Sequence, residues 1–176
     1  ETRTMFEKLL TEIQIPMVID ADALNLLSKN QKWHEQIPCN AILTPHSGEF
    51  DRLFGTCQNR WQRIEKARAI CTAYNFCLVL KGKFTVVIAP NGICYFNPTG
   101  NNGLATAGTG DVLTGMLVGL LAQGYSAVNA AIIGVYLHGK AADMALKKQS
   151  PESLIASDVI ENIGQAFKSE ISNNNP

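Results

Sequence analysis

The sequence lacks several features that would assign it to a broad class of protein. It carries no excess of either charge, because 15 basic and 15 acidic residues cancel among 176. This balance argues against a nucleic-acid or anionic-membrane surface, although it leaves room for a local basic pocket. No apolar segment follows the charged first residues, ETRTMFEKLL, so a signal peptide is not expected. The phosphate-binding motif GxxxxGK[ST] and the dinucleotide-binding motif GxGxxG are absent.

Paired cysteines and an uninterrupted membrane-length apolar run are missing as well. The five cysteines are odd in number and form no CxxC pair. We therefore expect reduced thiols in a cytoplasmic protein, with neither a structural disulfide nor a zinc site.

The stretch 112–137 carries no charged residue and is long enough to span a bilayer, but AQGYSAVN interrupts it. Because glycine ends and serine starts helices, this stretch predicts two buried helices joined by a turn.

Strand and helix patterns alternate in the first half of the chain, which predicts an α/β fold with a mostly parallel sheet flanked by helices. The turn signal PNG at 90–92 predicts an antiparallel hairpin near one edge. A last helix is expected with Ser157 as its N-cap, and the tail SNNNP is expected to be frayed. The runs interpreted as strands are MVID (17–20), AILT (41–44), CLVLKG (77–82), TVVIA (85–89) and ICYFN (93–97), and those interpreted as helices before the glycine-rich loop are 4–13, 21–30 and about 64–74.

Polar residues follow three of these strands, at the carboxyl ends where ligands bind in parallel α/β sheets. Asp20 and Asp22 follow the first strand, and they either orient a substrate pocket or cap the next helix. The segment TPHSGE at 44–49 follows the second strand. It is either a ligand-binding segment, with His46 near substrate and Glu49 near a hydrated magnesium ion, or a turn with a solvated glutamate.

KGKFT at 81–85 follows the third strand. It either offers Lys81, Lys83 and backbone N–H groups to a nucleotide or is a simple turn between strands. His34 and His138 have no partner in the sequence and are interpreted as structural. Trp33 and Trp61 are interpreted as packing residues.

The glycine-rich loop ATAGTGDVLTG at 105–115 carries the most chemical information. Gly108 and Gly110 flank Thr109, so the backbone can approach a ligand closely. Unpaired N–H groups at the start of the following helix make an anion site suited to phosphate. A carboxylate beside a phosphate would repel it unless Asp111 faces a hydroxyl that must lose its proton, as a general base does in phosphoryl transfer. The alternative is that Asp111 only caps the helix.

Taken in order, VIDADALNLL, ILTPHSGEF, LVLKG…T and GLATAGTGDVLTGMLVGLLAQG resemble the ADP/ATP-dependent NAD(P)H-hydrate dehydratases, from about Met17 to Ala142. The resemblance implies a ribokinase-like fold of three layers. It also implies a cytoplasmic enzyme that repairs hydrated NADH and NADPH (the S epimer). The ring hydroxyl is phosphorylated with ADP or ATP, and phosphate is then lost; the sequence does not choose between the two nucleotides. Magnesium is the implied cofactor, and no nucleic-acid or membrane partner is expected.

The resemblance also implies roles for individual residues. Asp111 would be the base acting on the hydroxyl. The N–H groups of Gly108, Thr109 and Gly110 would hold the transferring phosphate. The remaining residues that match the family pattern would bind adenine nucleotide (Lys81, Gly82, Lys83, Phe84, Thr85 and Gly110), contact substrate (His46, Asn25, Asn102 and Asp111) or bind magnesium (Glu49).

The chain departs from the family pattern in two respects. Ser47 stands where many members have proline, which is a minor change. The family domain is considerably longer, so residues 1–176 are expected to be the C-terminal part of one such domain, without its first strands and a glycine-bearing segment. Such a piece would expose a sheet edge and apolar surface. Either another chain supplies that portion, or the activity of this fragment alone is in doubt; family members are often oligomers, so a homo-oligomer is expected.

Two alternative functions remain open at the level of sequence. One is a ribokinase-like kinase for a vitamin precursor, which would share GTGD but would not be expected to carry TPHSGEF after DADALN. The other is a nucleotide-binding or assembly module without turnover. Net dehydration with phosphate release, a stable phosphorylated product and binding without turnover distinguish the three.

Overall fold

The computed structural model describes residues 2–173, which form a sheet with helices on both of its faces. The helices are α1 (Thr2–Glu12), α2 (Asp22–Leu27), α3 (Ser47–Phe54), α4 (Arg60–Tyr74), α5 (Thr109–Ala122), α6 (Ala127–Ala145) and α7 (Ala156–Asn173). The strands are β1 (Val18–Ile19), β2 (Ile42–Leu43), β3 (Cys77–Leu80), β4 (Val86–Ile88) and β5 (Cys94–Phe96). Short 3-10 turns lie at Gln31–Gln36, Asn102–Ala105 and Pro151–Ser153.

The five strands stand in the order β1-β2-β3-β4-β5. The first three are parallel to one another, whereas β3 with β4 and β4 with β5 are antiparallel. The predicted mixed sheet is therefore confirmed, with its hairpin at one edge. At the other edge, β1 has a neighbouring strand on one side only among the described residues.

Side chains of one strand alternate between two cores, because successive residues of a strand point to opposite faces of the sheet. In β3, Leu78 and Leu80 pack with α1 to α4, while Cys77 and Val79 pack with α5 and α6. The helix α7 packs on the outer side of α6 in a third cluster. The sheet thus forms the middle layer between two helical layers.

The uncharged stretch 112–137 forms two helices, as its sequence predicts. The first ends before Gly124, whose φ of 87° suits the turn. The second begins after Ser126, whose hydroxyl accepts a hydrogen bond from the Asn129 N–H at 3.3 Å. Among residues 2–173 no helix has the length and apolarity needed to cross a membrane.

The prediction of an N-cap at Ser157 is wrong. The helix α7 begins at Ala156, so Ser157 lies within its first turn. The cap interaction comes instead from Asp158, whose carboxylate accepts a hydrogen bond from the N–H of Ile155 at 2.9 Å. Asp158 can stabilise the start of α7 because its side chain reaches back to the free N–H group of Ile155, which precedes the helix. Residues 174–176 of the tail expected to be frayed lie outside the described residues.

The loop between β5 and α5 is fastened to α6 by side-chain hydrogen bonds. The Thr99 hydroxyl donates to the Tyr136 carbonyl at 2.8 Å. The carboxylate of Asp143 accepts from the Gly100 N–H at 2.8 Å and from the Asn101 side chain at 2.9 Å. These bonds fix the position of the loop relative to α6.

This fastening depends on a glycine in α6. A Cβ atom at Gly139 would lie 2.3 Å from Thr99 Oγ1 and 2.7 Å from the carbonyl carbon of the same residue. The second of these contacts is to a backbone atom, so a change of side-chain rotamer could not relieve it. The loop approaches α6 closely because residue 139 has no side chain.

We expect Gly139→Ala to destabilise the protein by roughly 1–3 kcal/mol, since the added methyl group overpacks the loop against α6. Gly164→Ala in α7 is the matched control, because a Cβ there meets nothing within 4 Å. That control should gain about 0.5–1 kcal/mol from helix propensity. Urea denaturation of both variants measures the difference, and a Gly139→Ala protein as stable as the parent would contradict the close approach.

Two histidines are buried inside this framework. Burial lowers the pKa of His34, against a smaller opposing effect from a hydrogen bond with the Leu27 backbone. The ring of His34 lies between Phe54 and Tyr74, and its Nε2 has no hydrogen-bond partner among the described residues. Burial also lowers the pKa of His138, to about 4, opposed by its hydrogen bond to Thr109.

These depressed pKa values predict that stability falls in mild acid. In the unfolded chain a histidine protonates near pH 6.5, whereas the folded protein disfavours its charged form, so the unfolded state binds more protons below that pH. The free energy of unfolding should therefore be highest above pH 6.5. Between there and about pH 4, the pKa of His138, it should decrease by up to about 1.4 kcal/mol per pH unit for that histidine, and the lowered pKa of His34 adds a decrease of the same sign below pH 6.5.

His34→Gln should make this decrease shallower, because glutamine takes up no proton. Denaturant titrations at several pH values between 7 and 5 measure the slope for parent and variant. Equal slopes would show that His34 is not buried in its neutral form.

Candidate active site

A cavity of about 890 Å³ opens where β3 ends. Its walls come from His46, the 81–85 connection, the loop that precedes α5, the first turns of α5, and α6. The cavity thus brings together three segments that the sequence singles out separately. Two of them meet because β2 and β3 are parallel neighbours, and β5, which leads into the third, runs in the same direction because both β3 and β5 are antiparallel to β4.

The start of α5 presents unpaired backbone donors. Gly108 is the N-cap residue with a φ of 86°, a conformation that glycine adopts without strain. Among the described residues, no acceptor hydrogen-bonds the N–H groups of Gly110 and Asp111. The N–H of Thr109 makes one long bond of 3.4 Å to the Thr106 carbonyl. Unpaired N–H groups at the positive end of a helix dipole are suited to an anion.

The side chain of Asp111 is exposed in the first turn of α5, next to Gly110 of the cavity wall. It makes no hydrogen bond to another described residue, and α5 has no side-chain cap. Helix capping by hydrogen bonding, the alternative role from the sequence, therefore does not occupy this carboxylate. Asp111 has both oxygens available for a ligand.

The segment TPHSGE starts the helix α3 and is not a turn with a solvated glutamate. The N–H groups of Gly48 and Glu49 donate to His46 Nδ1 at 3.0 and 3.2 Å. In return the His46 N–H donates to Glu49 Oε2 at 2.8 Å, which completes a capping box. Because Nδ1 accepts these bonds, the ring proton of neutral His46 lies on Nε2. Glu49 is buried, whereas the ring of His46 is half exposed at the cavity wall.

Lys81 is paired with carboxylates beneath the start of α5. Its Nζ lies 2.9 Å from Asp20 Oδ1 and 4.0 Å from Glu49 Oε2. The other oxygen of Asp20 accepts a hydrogen bond from the Thr114 hydroxyl at 3.0 Å. A Cβ at Gly110 would lie only 3.7 Å from Lys81 Nζ, so the ammonium lies close to the backbone of the anion site. Two carboxylates and one ammonium leave this group with a formal charge of −1.

The connection 81–85 is a turn between β3 and β4, and all five of its residues line the cavity. Gly82, Lys83 and Phe84 are exposed, while the Thr85 hydroxyl donates to the Gly82 carbonyl at 3.1 Å. The two roles proposed from the sequence, turn and nucleotide segment, are thus compatible. The exposed residues leave their side chains and backbone accessible to a ligand.

An apolar groove of about 680 Å³ adjoins the cavity at Phe84 and Asn97. Trp61 lies in this groove and is 66% exposed, so its interpretation as a packing residue is wrong. Trp61 lies in the first turn of α4, before the buried residues Ile64, Ala67 and Cys71 of that helix. Trp33, by contrast, is fully buried, as expected.

Of the two asparagines predicted to contact substrate, one lines the cavity and the other does not. Asn102 lines the cavity. Asn25 does not line it, and its side-chain oxygen accepts a hydrogen bond from Arg52 at 3.2 Å instead. His138 lines the cavity in addition to being buried, which the sequence does not reveal. Asp143 also escapes sequence reasoning, because its partners at 100 and 101 lie far from it along the chain.

The residues present can hold magnesium only together with a ligand. Within residues 2–173 no group of three or more His, Cys, Asp or Glu side chains is arranged to bind a metal ion. Magnesium does not require such a group, since it retains several waters and binds one or two carboxylates together with substrate phosphates. Glu49 is buried and does not line the cavity, so it would take part in this second arrangement through a water molecule.

Comparison with known proteins agrees with this geometry. Residues 1–165 match the family described as NAD(P)H-hydrate dehydratase, a longer range than the motifs alone indicate. The bifunctional NAD(P)H-hydrate repair enzyme of Moorella thermoacetica is 42% identical over 162 residues, which are 91% of this chain and 31% of that protein. The chain therefore spans about a third of the length of this relative.

Solved structures of known proteins are also similar to this chain. The ADP/ATP-dependent NAD(P)H-hydrate dehydratase of Bacillus subtilis, co-crystallised with ATP and Mg²⁺ and soaked with CoA, superposes with a TM-score of 0.79. It is 35% identical, and the match covers 90% of this chain and 58% of that one. Ribokinase of Arabidopsis thaliana superposes with a TM-score of 0.58 at 16% identity, covering 92% of this chain and 52% of that one, so the predicted ribokinase-like fold is confirmed. On this evidence the chain belongs to the NAD(P)H-hydrate dehydratase family.

Proposed function

We propose that the whole protein is a hydro-lyase that repairs nicotinamide nucleotides, converting the S epimer of hydrated NADH or NADPH to NAD(P)H at the expense of ADP or ATP. The observation that carries this proposal is the pairing of unbonded N–H groups at Gly110 and Asp111 with the unpartnered carboxylate of Asp111. Membership of the dehydratase family indicates the substrate class. The free thiols of all five cysteines are consistent with a cytoplasmic enzyme.

In this mechanism Asp111 takes the proton from the hydroxyl on the nicotinamide ring. The hydroxyl oxygen attacks the terminal phosphorus of ADP or ATP, and the bond from that phosphorus to the nucleotide breaks, releasing AMP or ADP. Backbone N–H groups from Gly108 to Gly110 stabilise the charge on the transferring phosphoryl group. The ring nitrogen's lone pair then expels the phosphate, and loss of a proton from the adjacent ring carbon restores the dihydropyridine. Magnesium, held through Glu49 by water, would neutralise nucleotide phosphate charge.

The connection 81–85 is the proposed binding segment for adenine nucleotide. It offers the exposed Gly82, Lys83 and Phe84 beside the anion site. Lys81 would act differently from an unpaired cation, since Asp20 and Glu49 already neutralise it. Its contribution would be to hold positive charge close to Gly110 when a phosphate arrives. His46 and Asn102 would border the hydrated dinucleotide from opposite walls.

We further propose that a segment outside residues 1–176, from the same or another copy of the protein, covers Asp111 and completes the substrate pocket. Two observations support this: the carboxylate is exposed to solvent, and β1 has a free edge among the described residues. Exposed apolar side chains at Val118 of α5 and at Ile160 and Phe167 of α7 would suit a homo-oligomer. Light scattering of the whole protein measures the oligomeric state.

The test of function is the absorbance of the reduced nicotinamide ring after hydrated NADH, magnesium and either ADP or ATP are mixed with the protein. The experiment is run on the 176-residue chain and on the full-length protein. A rise in absorbance with release of phosphate supports the dehydratase and identifies the phosphate donor. A stable phosphorylated product would instead support a kinase, and binding without either reaction would support a module without turnover.

Asp111→Asn should abolish dehydration while nucleotide affinity stays within a few-fold. Asparagine has nearly the same shape but accepts no proton, so the rate should fall by a factor of about 10²–10⁴. Asp22→Asn is the control, because it makes the same change in the first turn of α2, outside the cavity lining. Unchanged turnover in Asp111→Asn would refute its role as the base.

Lys81→Ala should raise the dissociation constant for ADP or ATP about tenfold, which corresponds to about 1.4 kcal/mol. Asp20→Asn separates this effect from loss of the ion pair, since it removes the carboxylate but retains the ammonium. Calorimetric titration of both variants gives the comparison. If Asp20→Asn weakened binding as much as Lys81→Ala, the lysine would act through the ion pair alone.

A further inference from the structure

His138 connects α6 to the first residue of α5. Its Nε2 lies 2.9 Å from the carbonyl oxygen of Thr109. A carbonyl oxygen only accepts hydrogen bonds, so Nε2 carries the proton and Nδ1 does not. The ring is buried, and burial keeps it neutral at neutral pH. One tautomer of one histidine therefore holds this carbonyl.

The orientation of the Thr109 carbonyl determines where the next N–H group points, and His138 reinforces the orientation that the first turn of α5 gives it. The peptide between Thr109 and Gly110 is trans, as are the others in the chain. In a trans peptide the carbonyl oxygen and the N–H point in opposite directions across a rigid plane. With the Thr109 oxygen directed at His138, the Gly110 N–H is directed away from it, out of the helix start. That N–H has no acceptor among the described residues.

The backbone at this point needs an outside restraint. Gly108 and Gly110 flank the peptide, and glycine permits more backbone conformations than any other residue. Besides the helical bond that its carbonyl accepts from the Leu113 N–H, Thr109 makes only local bonds: its hydroxyl donates to the Leu104 and Thr106 carbonyls, both at 2.8 Å. Those bonds move with the loop, whereas His138 belongs to a 19-residue helix packed on the sheet.

We propose that His138 is a positioning residue for the anion site, holding the Thr109–Gly110 peptide so that the Gly110 N–H faces an incoming phosphate. It touches neither the reacting hydroxyl nor the phosphate. This inference rests on the proposed function for the identity of the phosphate, which belongs to an adenine nucleotide. A histidine that only filled space in the core would affect stability and not the binding of phosphate groups in particular.

Two substitutions separate these roles. In His138→Gln the side-chain amide places an N–H donor near the position of Nε2, so the bond to Thr109 can form. In His138→Leu the volume is similar but the donor is gone. Val135→Ala is the packing control, since it removes a buried side chain one turn earlier in α6 that also lines the cavity.

The first measurement is the amide NMR spectrum of the full-length protein. His138→Leu should shift and broaden the Gly110 and Asp111 resonances, and His138→Gln should return them towards the parent positions. Val135→Ala should lower the melting temperature without broadening those two resonances. Unchanged Gly110 and Asp111 resonances in His138→Leu would overturn the proposal.

The second measurement compares the dissociation constants of ADP and adenosine by titration of the full-length protein. His138→Leu should weaken ADP binding about tenfold, the loss expected for a hydrogen bond to a charged group, and leave adenosine binding unchanged. Equal losses for ADP and adenosine would overturn the proposal. Neither measurement needs turnover, so a protein with these responses but no dehydration would refute the proposed function and not the role of His138.

Discussion

The close approach of the glycine-rich loop to α6 at Gly139 is the constraint on which the site depends. With no side chain at that position, the loop lies against the helix, and Thr99, Gly100 and Asn101 then reach acceptors on Tyr136 and Asp143. The position of the loop determines where α5 starts. The start of α5 in turn determines where its unpaired N–H groups and Asp111 face. A contact between backbone atoms therefore controls a site whose chemistry lies at the opposite end of the loop.

Charge around the cavity is arranged so that the anion site consists of backbone groups. The nearest ammonium, on Lys81, is paired with Asp20 and lies within 4.0 Å of Glu49, which leaves that cluster with a formal charge of −1. The unpaired N–H groups at the positive end of the α5 dipole are therefore the main groups suited to an anion at the start of this helix.

Sequence patterns succeeded where an element's signal is local. The PNG turn predicted the β4–β5 hairpin, and Gly124 with Ser126 predicted the break between α5 and α6, because both turns are determined by a few adjacent residues. The start of α7 was misplaced because serine and aspartate are both good residues at helix starts, and only the backbone decides which is used. Burial excluded one of the two alternatives at TPHSGE, the turn with a solvated glutamate, since Glu49 could be excluded from water only after α3 packed on the sheet.

The sequence by itself determined the family, the order of strands and helices, and the identity of the chemical groups: a glycine-rich loop, a carboxylate at a helix start and a lysine after a strand. These follow from neighbouring residues, whose spacing is written in the chain. Only the tertiary structure decided that Asp20 pairs with Lys81 and accepts a hydrogen bond from Thr114. It also decided that Asp143 hydrogen-bonds the loop before α5 and that His138 hydrogen-bonds the first residue of α5. Those partners are separated by 29 to 94 residues, and a hydrogen bond between them exists only after the hydrophobic cores have brought their elements together.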